Sequence, residues 1–237
     1  MVRSAELGET TDRRAQQEWE EGCGNDVRVT MASRLRQASS RMSLDLTEGQ
    51  IECAIAYSEL LLKWNQHMNL TAIRTLEGVV IKHFLDSLAI VEYIQGQRII
   101  DIGSGAGFPG IAAALVRPNL QFVLLDAKGK KVQFLRHAVA KFGFENVEVV
   151  HHRIQNYSSK SGFDTALVRS LGSLSAIAEF ALPVISKSGR VIAMKGRRPD
   201  AELAALKIPC RVEVQRINVP YLDGDRHCII MKRPVNP

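Results

Sequence analysis

Residues 101–110 read DIGSGAGFPG, an acidic residue closing an apolar run and then glycines at Gly103, Gly105, Gly107 and Gly110. A glycine-rich turn between a strand and a helix lets the backbone come close to a ligand and offers it free helix N–H groups. Such a loop predicts a nucleotide site without saying which nucleotide; a tight turn with no ligand is the competing reading. Gly105, Gly107 and Gly110 spell the G-x-G-x-x-G of dinucleotide folds. In that fingerprint the first glycine leaves the strand directly, and here that glycine is Gly103, from which the spacing is G-x-G-x-G. Asp101 would repel a pyrophosphate but suits a ligand carrying an ammonium and a sulfonium. S-adenosylmethionine is therefore favoured over NAD, with Gly103, Gly105 and Gly107 shaping the loop and Asp101 facing the amine.

On either side of the loop, apolar strands alternate with helices. Strands are expected at 98–102, 121–126, 147–151, 164–170 and 190–195, with helices at about 108–116, 128–142 and 174–186. This pattern predicts a parallel sheet covered on both faces. CRVEVQRI (210–217) and RHCIIMK (226–232) flank a turn-rich LDGD and predict a closing antiparallel hairpin. The second strand ends at Asp126, where a carboxylate can accept both hydroxyls of a ribose, a feature common to both cofactors.

The helix after Asp126, AKGKKVQFLRHAVAKFGF, carries Lys128, Lys130, Lys131, Arg136 and Lys141 with no acid before Glu145. A surface helix of one sign is a candidate phosphate-contacting face, the plain alternative being a solvated basic face. Lys195, Arg197 and Arg198 form a second cluster after the fifth strand, on the ligand side of an open α/β sheet. Together they point to a nucleic-acid substrate.

Ahead of the sheet, Thr47 and Gln50 make a capping box, followed by apolar positions at helical period. A second helix is expected over about 75–94, with Val80, Phe84, Leu88 and Val91 on one face. Residues 1–42 are polar, with seven Arg against seven Asp plus Glu, so the net charge of +6 lies entirely in the rest. They are expected to form a poorly ordered extension, helical at most near Met31–Gln37, or to reflect a misplaced start. The organisation is thus an extension (1–42), a helical cap (43–95) and a sheet domain (96–237), the last two forming one unit.

No apolar run approaches the roughly 20 residues of a membrane span, and MVRSAELGETTDRR has no secretory h-region. Cys23, Cys53, Cys210 and Cys228 lack C-x-x-C spacing, which implies neither zinc nor disulfides and is compatible with a reducing cytoplasm. NVPY (218–221) and Pro209-Cys210 imitate methylase motifs at the wrong places, and the adjacent His151 and His152 face opposite ways on a strand. No metal site is expected. Asp86 and His83, three apart on one helical face, are candidates for an acid–base pair but are read as a hydrogen-bonded pair on a helix surface. No convincing base or nucleophile is found; methyl transfer to guanine N7, which carries no proton at neutral pH, needs none and relies on positioning and electrostatics.

KWNQHMNLTAIR (63–74), KHFLDSL (82–88), IDIGSGAGFPGI (100–111), LLDAKGKKVQFLR (124–136), VRS (168–170), MKG (194–196) and LDGDRH (222–227) occur together in order. Over about residues 44–233 this set resembles the bacterial glucose-inhibited division protein B family. The resemblance implies an α/β, seven-stranded, Rossmann-like class I S-adenosylmethionine-dependent methyltransferase with an N-terminal helical cap. It implies methylation of N7 of guanine 527 in 16S rRNA, free or in an assembling 30S subunit; the protein is also expected to be cytoplasmic and monomeric. By the same resemblance Gly103, Phe108, Ile154, Gln155 and Arg169 hold the cofactor. Gln155 stands where relatives commonly have an acid, and its neutral amide can still hydrogen-bond the adenine amine. Asn69, Thr71, Arg74, His83, Arg226 and His227 match the family's pattern near the substrate, without individual roles. The rival functions are another RNA methyltransferase of this fold, a non-catalytic RNA-binding module, and an NAD-dependent dehydrogenase. The dehydrogenase lacks a candidate catalytic residue, and the module leaves the glycine loop and Asp126 without use.

Overall fold

A computed structural model of the chain describes residues 25–234. Seven strands form one sheet in the order β3-β2-β1-β4-β5-β7-β6: β1 Arg98–Ile102, β2 Gln121–Asp126, β3 Val147–His151, β4 Phe163–Arg169, β5 Ile185–Lys195, β6 Arg211–Ile217 and β7 Arg226–Lys232. β1 pairs in parallel with β2 and β4, and only β7 runs against its neighbours β5 and β6. The chain therefore winds outward from β1 to β3 and then returns to β4 on the other side of β1. That reversal opens a crevice at the C-terminal ends of β1 and β4, where α/β sheets take their ligands.

Period-two alternation sorts the side chains of β1 between two faces. Ile99 joins the core shared with the helical cap, and Ile100 and Ile102 join the core on the opposite face. Asp101 consequently points to the cap side. That side is covered by α2 (Glu48–Met68), α5 (Gly110–Val116) and α6 (Gly129–Phe142), and the other by α7 (Leu174–Ala181). A short α8 (Asp200–Ala204) follows β5.

The capping box at α2 is present: the Thr47 N–H donates to Gln50 Oε1 at 2.9 Å, and the Gln50 N–H to Thr47 Oγ1 at 3.3 Å. Asn69, in the left-handed conformation, ends the helix. The helix expected over 75–94 is broken into segments. α3 (Leu76–Val79) passes into a π-helical turn, Val80–Leu85, then α4 (Asp86–Leu88) and a 3₁₀ turn, Val91–Tyr93. π turns interrupt helices often at functional sites, and this one carries Lys82 and His83.

The expected disorder of 1–42 does not hold for its described part. Residues 25–41 form a helix, α1, whose Met31, Leu35 and Ala38 are buried in the core. Its charges pair with the cap, Arg28 with Glu52 and Glu59, Arg34 with Glu77 and Arg36 with Glu48. One narrow apolar stripe and cross-helix ion pairs make a packed helix look polar in composition. Residues 1–24 lie outside the described part. The NVPY segment is a turn beside β6, where Tyr221 lies under the guanidiniums of Arg34 and Arg41.

Candidate active site

A cavity of about 760 Å³ lies at the C-terminal ends of β1, β2, β4 and β5. Its floor is the glycine loop, its sides the turns after β2, β3 and β4, and its roof the cap residues Leu70, Thr71, Lys82, His83 and Asp86. Gly103 adopts φ +72°, and a Cβ there would sit 1.9 Å from Leu171 Cδ1. The turn off β1 thus favours glycine, since any other residue would be strained at this φ and would have to displace Leu171. Gly105 also lines the cavity, whereas Gly107 does not: a Cβ on it would meet Tyr57 Oη at 2.5 Å. Gly107 therefore serves the packing of the cap against the loop, which corrects its assignment to cofactor contact. The same holds for Gly110, where a Cβ would strike Leu124 and Asp101. Two of the three glycines in the dinucleotide register accordingly face the protein.

Asp101 is also corrected. It is buried beneath the loop, away from the cavity, because β1 turns it to the cap side. Its Oδ2 accepts the Gly110 N–H at 2.8 Å and its Oδ1 has no hydrogen-bond partner among the described residues. Burial raises its pKa to about 7, against the opposing effects of the Gly110 N–H and Arg169. Asp126, by contrast, lines the cavity. Its Oδ2 accepts the Gly105 N–H at 2.9 Å, its Oδ1 accepts the Lys128 N–H at 2.8 Å, and Lys131 Nζ lies 3.9 Å away. Ile154 and Gln155 meet the cavity from the 3₁₀ turn after β3, the first buried and the second exposed.

The opposite wall is a charged network around Arg169 at the end of β4. Arg169 Nη2 donates to His83 Nδ1 at 2.9 Å, and Nη1 donates to the Lys82 carbonyl at 3.2 Å and lies 3.5 Å from Asp86 Oδ2. Asp86 Oδ1 accepts from Arg226 Nε at 2.9 Å. His83 Nε2 is 2.8 Å from Thr71 Oγ1. The His83 ring stacks on Phe108 with centroids 4.9 Å apart, and the Arg169 guanidinium lies 5.6 Å from the Phe108 centroid. Burial and the neighbouring guanidinium lower the His83 pKa to about 3, so the ring is neutral. Asp86 and His83 are therefore not a surface pair: each reaches Arg169, and Asp86 is buried. Sequence reading missed Asp86 as a site residue; its signal was the KHFLDSL motif itself, in which it follows His83 by one turn.

The expected RNA-contacting residues divide. Lys128 and Lys131 line the cavity, while Lys130 and Arg136 lie exposed along α6 with no ion pair among the described residues. In the second cluster Lys195 is bound to Glu202 at 2.8 Å and Arg198 to Asp200 at 2.6 Å, so only Arg197 is an exposed cation free of a carboxylate among the described residues. Arg226 reaches the cavity, but His227 is buried against the Gly196 carbonyl. Asn69 and Arg74 pair with each other at 3.4 Å just outside the cavity, and Arg74 also binds the Asn65 carbonyl. Among the described residues no cluster of His, Cys, Asp and Glu could hold a metal, and no helix is long and apolar enough to cross a membrane.

The fold is that of class I S-adenosylmethionine-dependent methyltransferases. A tRNA methyltransferase from Aquifex aeolicus superposes over 64% of this chain and 69% of its own, with a TM-score of 0.51 at 13% identity. The pyocyanin biosynthetic protein PhzM does so over 66% and 56%, with a TM-score of 0.53 at 15% identity. Sequence relatives are far nearer. The ribosomal RNA small subunit methyltransferase G of Yersinia enterocolitica is 41% identical over 85% of this chain and 99% of its own length. That of Legionella pneumophila is 44% identical over 73% and 82%, and that of Methylococcus capsulatus 41% over 84% and 97%. The family model described as rRNA small subunit methyltransferase G matches residues 50–229, and the chain belongs to that family.

Proposed function

We propose that this protein transfers a methyl group from S-adenosylmethionine to N7 of guanine 527 in 16S rRNA. The observation that carries the reading is a cavity joining a glycine turn and the Asp126 carboxylate to a wall with no free base. Two donors already reach Asp126, and a carboxylate offers about four lone-pair sites, which leaves capacity for ribose hydroxyls. Ile154 offers an apolar surface to an adenine ring and the Gln155 amide a hydrogen-bonding group beside it. Gly103 admits the ligand close to the backbone, and Phe108 and Arg169 close the far side. When bound, the cofactor supplies an electrophilic methyl group on a sulfonium.

The chain's own groups then have to position a nucleophile and nothing more. His83 is neutral with Nδ1 occupied by Arg169, and Asp86 is committed to two guanidiniums. Neither is available to remove a proton, which suits an acceptor such as guanine N7 that has none to lose. Arg169 and Arg226 against the single Asp86 leave the wall with a net positive charge, favourable to an electron-rich purine edge and to nearby phosphates. Lys128 and the exposed Lys130 and Arg136 extend that charge along α6 for the rRNA backbone.

The test is incubation with tritiated S-adenosylmethionine and either 30S subunits or bare 16S rRNA from cells lacking the modification. Label is expected at N7 of guanine 527 in at least one substrate, read by strand scission after reduction. Label at another atom or base overturns the assignment. Tight RNA binding with no label in either substrate would leave a binding module instead.

A further inference from the structure

The Thr71 hydroxyl carries an inference that deepens this reading and rests on it. Arginine can only donate hydrogen bonds. The approach of Arg169 Nη2 to His83 Nδ1 at 2.9 Å therefore makes Nδ1 the acceptor. In the neutral ring Nε2 must then carry the proton, and Nε2 lies 2.8 Å from Thr71 Oγ1. So His83 donates to Thr71. The Ile73 N–H donates to the same oxygen at 3.2 Å. A hydroxyl has two acceptor sites and one proton; both acceptor sites are filled, and the proton is left to be given away. No described residue accepts it, and Thr71 lines the cavity. The threonine is also firmly seated. Asn65, 1% exposed, accepts its backbone N–H at 3.0 Å and donates to its carbonyl at 2.9 Å.

We propose that the Thr71 hydroxyl, its polarity fixed by the Arg169–His83 relay, donates to O6 of the target purine and selects guanine over adenine. Beside N7, guanine presents the O6 acceptor where adenine presents an amino group that can only donate. A fixed donor accepts the first and opposes the second. Arg169 and Arg226 are anchored by Lys82, His83, Asp86 and Asp225, and their guanidiniums, like the cavity lysines, carry several N–H groups each, whereas Thr71 has a single proton whose direction is set by the two donors on its oxygen. Low His83 basicity keeps the relay in one polarity across the physiological range.

The experiment compares two 16S rRNAs, ligated from transcribed and synthetic pieces and used bare and as reconstituted 30S subunits. One carries guanine at the target and the other 2-aminopurine, which has hydrogen in place of O6. Single-turnover methylation rates are measured for wild type, T71V and T71S. Wild type is expected to prefer guanine. T71V should shrink the guanine-to-2-aminopurine ratio by roughly tenfold or more, as loss of one directed hydrogen bond requires, and T71S should restore it. The intrinsic nucleophilicity of each N7 cancels in this comparison of ratios. Equal slowing on both RNAs in T71V, with the ratio intact, assigns Thr71 a purely structural role and overturns the proposal. A guanine-to-2-aminopurine ratio that is the same in wild type and T71V overturns it whatever the size of the wild-type preference. No wild-type methylation of the guanine RNA overturns the functional reading as well, a result distinct from the other two.

Discussion

Asp126 ends β2 and Asp101 lies one residue before the end of its parallel neighbour β1, yet they perform different work. Asp126 holds the glycine loop from the cavity side, through the Gly105 and Lys128 N–H groups. Asp101 is covered by the loop and keeps one oxygen without a partner among the described residues. With its pKa near 7 in the fold and about 3.9 in an unfolded chain, Asp101 keeps a proton on folding that the unfolded chain has released. Stability therefore falls as pH rises from about 4 to about 7 and is level above, with a slope of about 1.4 kcal/mol per pH unit. Asp101→Asn keeps an acceptor for Gly110 and removes the titration. The difference in urea midpoint between wild type and this variant should change across that window, always in the variant's favour as pH rises. A constant difference would show that Asp101 is ionised throughout. The sequence placed Asp101 correctly, at a strand end before a glycine turn; which face it takes depends on sheet packing that the motif alone does not encode.

The elements themselves were largely legible, because each strand is an apolar run bounded by turn residues and each helix has its own period. All seven strands lie within a residue or two of expectation except β5, which begins at Ile185 instead of residue 190. The helix over 75–94 was legible as helical but not as broken, since a π turn alters hydrogen bonding without disturbing the apolar pattern. That turn carries His83, Asp86 follows it directly, and both reach Arg169. The α6 cations were legible as a one-signed face, and the structure separates them into two groups. Lys128 and Lys131 belong to the cavity, while Lys130, Arg136 and Lys141 are exposed. Replacing these last three by Ala should lower the slope of log affinity for rRNA against log salt by about 0.7 for each phosphate no longer neutralised, and leave S-adenosylmethionine affinity unchanged. Filter binding across a salt series and calorimetry with the cofactor measure the two effects. An unchanged slope would mean that this face of α6 is only solvated.

Cap and sheet share one hydrophobic core, in which Leu35 of α1, Tyr57 of α2, Phe84 of the π turn, Phe134 of α6 and Ile192 of β5 belong to a single cluster. Tyr57 stands at its centre, edge-on to Phe84, Phe108 and Phe134, and donates to the Ala106 carbonyl at 2.8 Å. The loop that lines the cavity is thus braced by the cap, and the cap has no separate interior of its own. One cooperative unfolding transition is the expected consequence. α1 belongs to it through fully buried Leu35, since its exposed ion pairs contribute little. Leu35→Ala should cost about 3 kcal/mol and shift the whole transition. Trp64, 5.6 Å from Phe134 across the cap boundary, reports locally once Trp19 is replaced by Phe, and far-UV circular dichroism reports on helices and sheet together. In urea the two signals should have coincident midpoints in the parent, and Leu35→Ala should move both to lower urea by the same amount. If the midpoints stay where they were, α1 is an appended helix outside the cooperative unit; if they separate, the cap unfolds apart from the sheet that its residues help to complete.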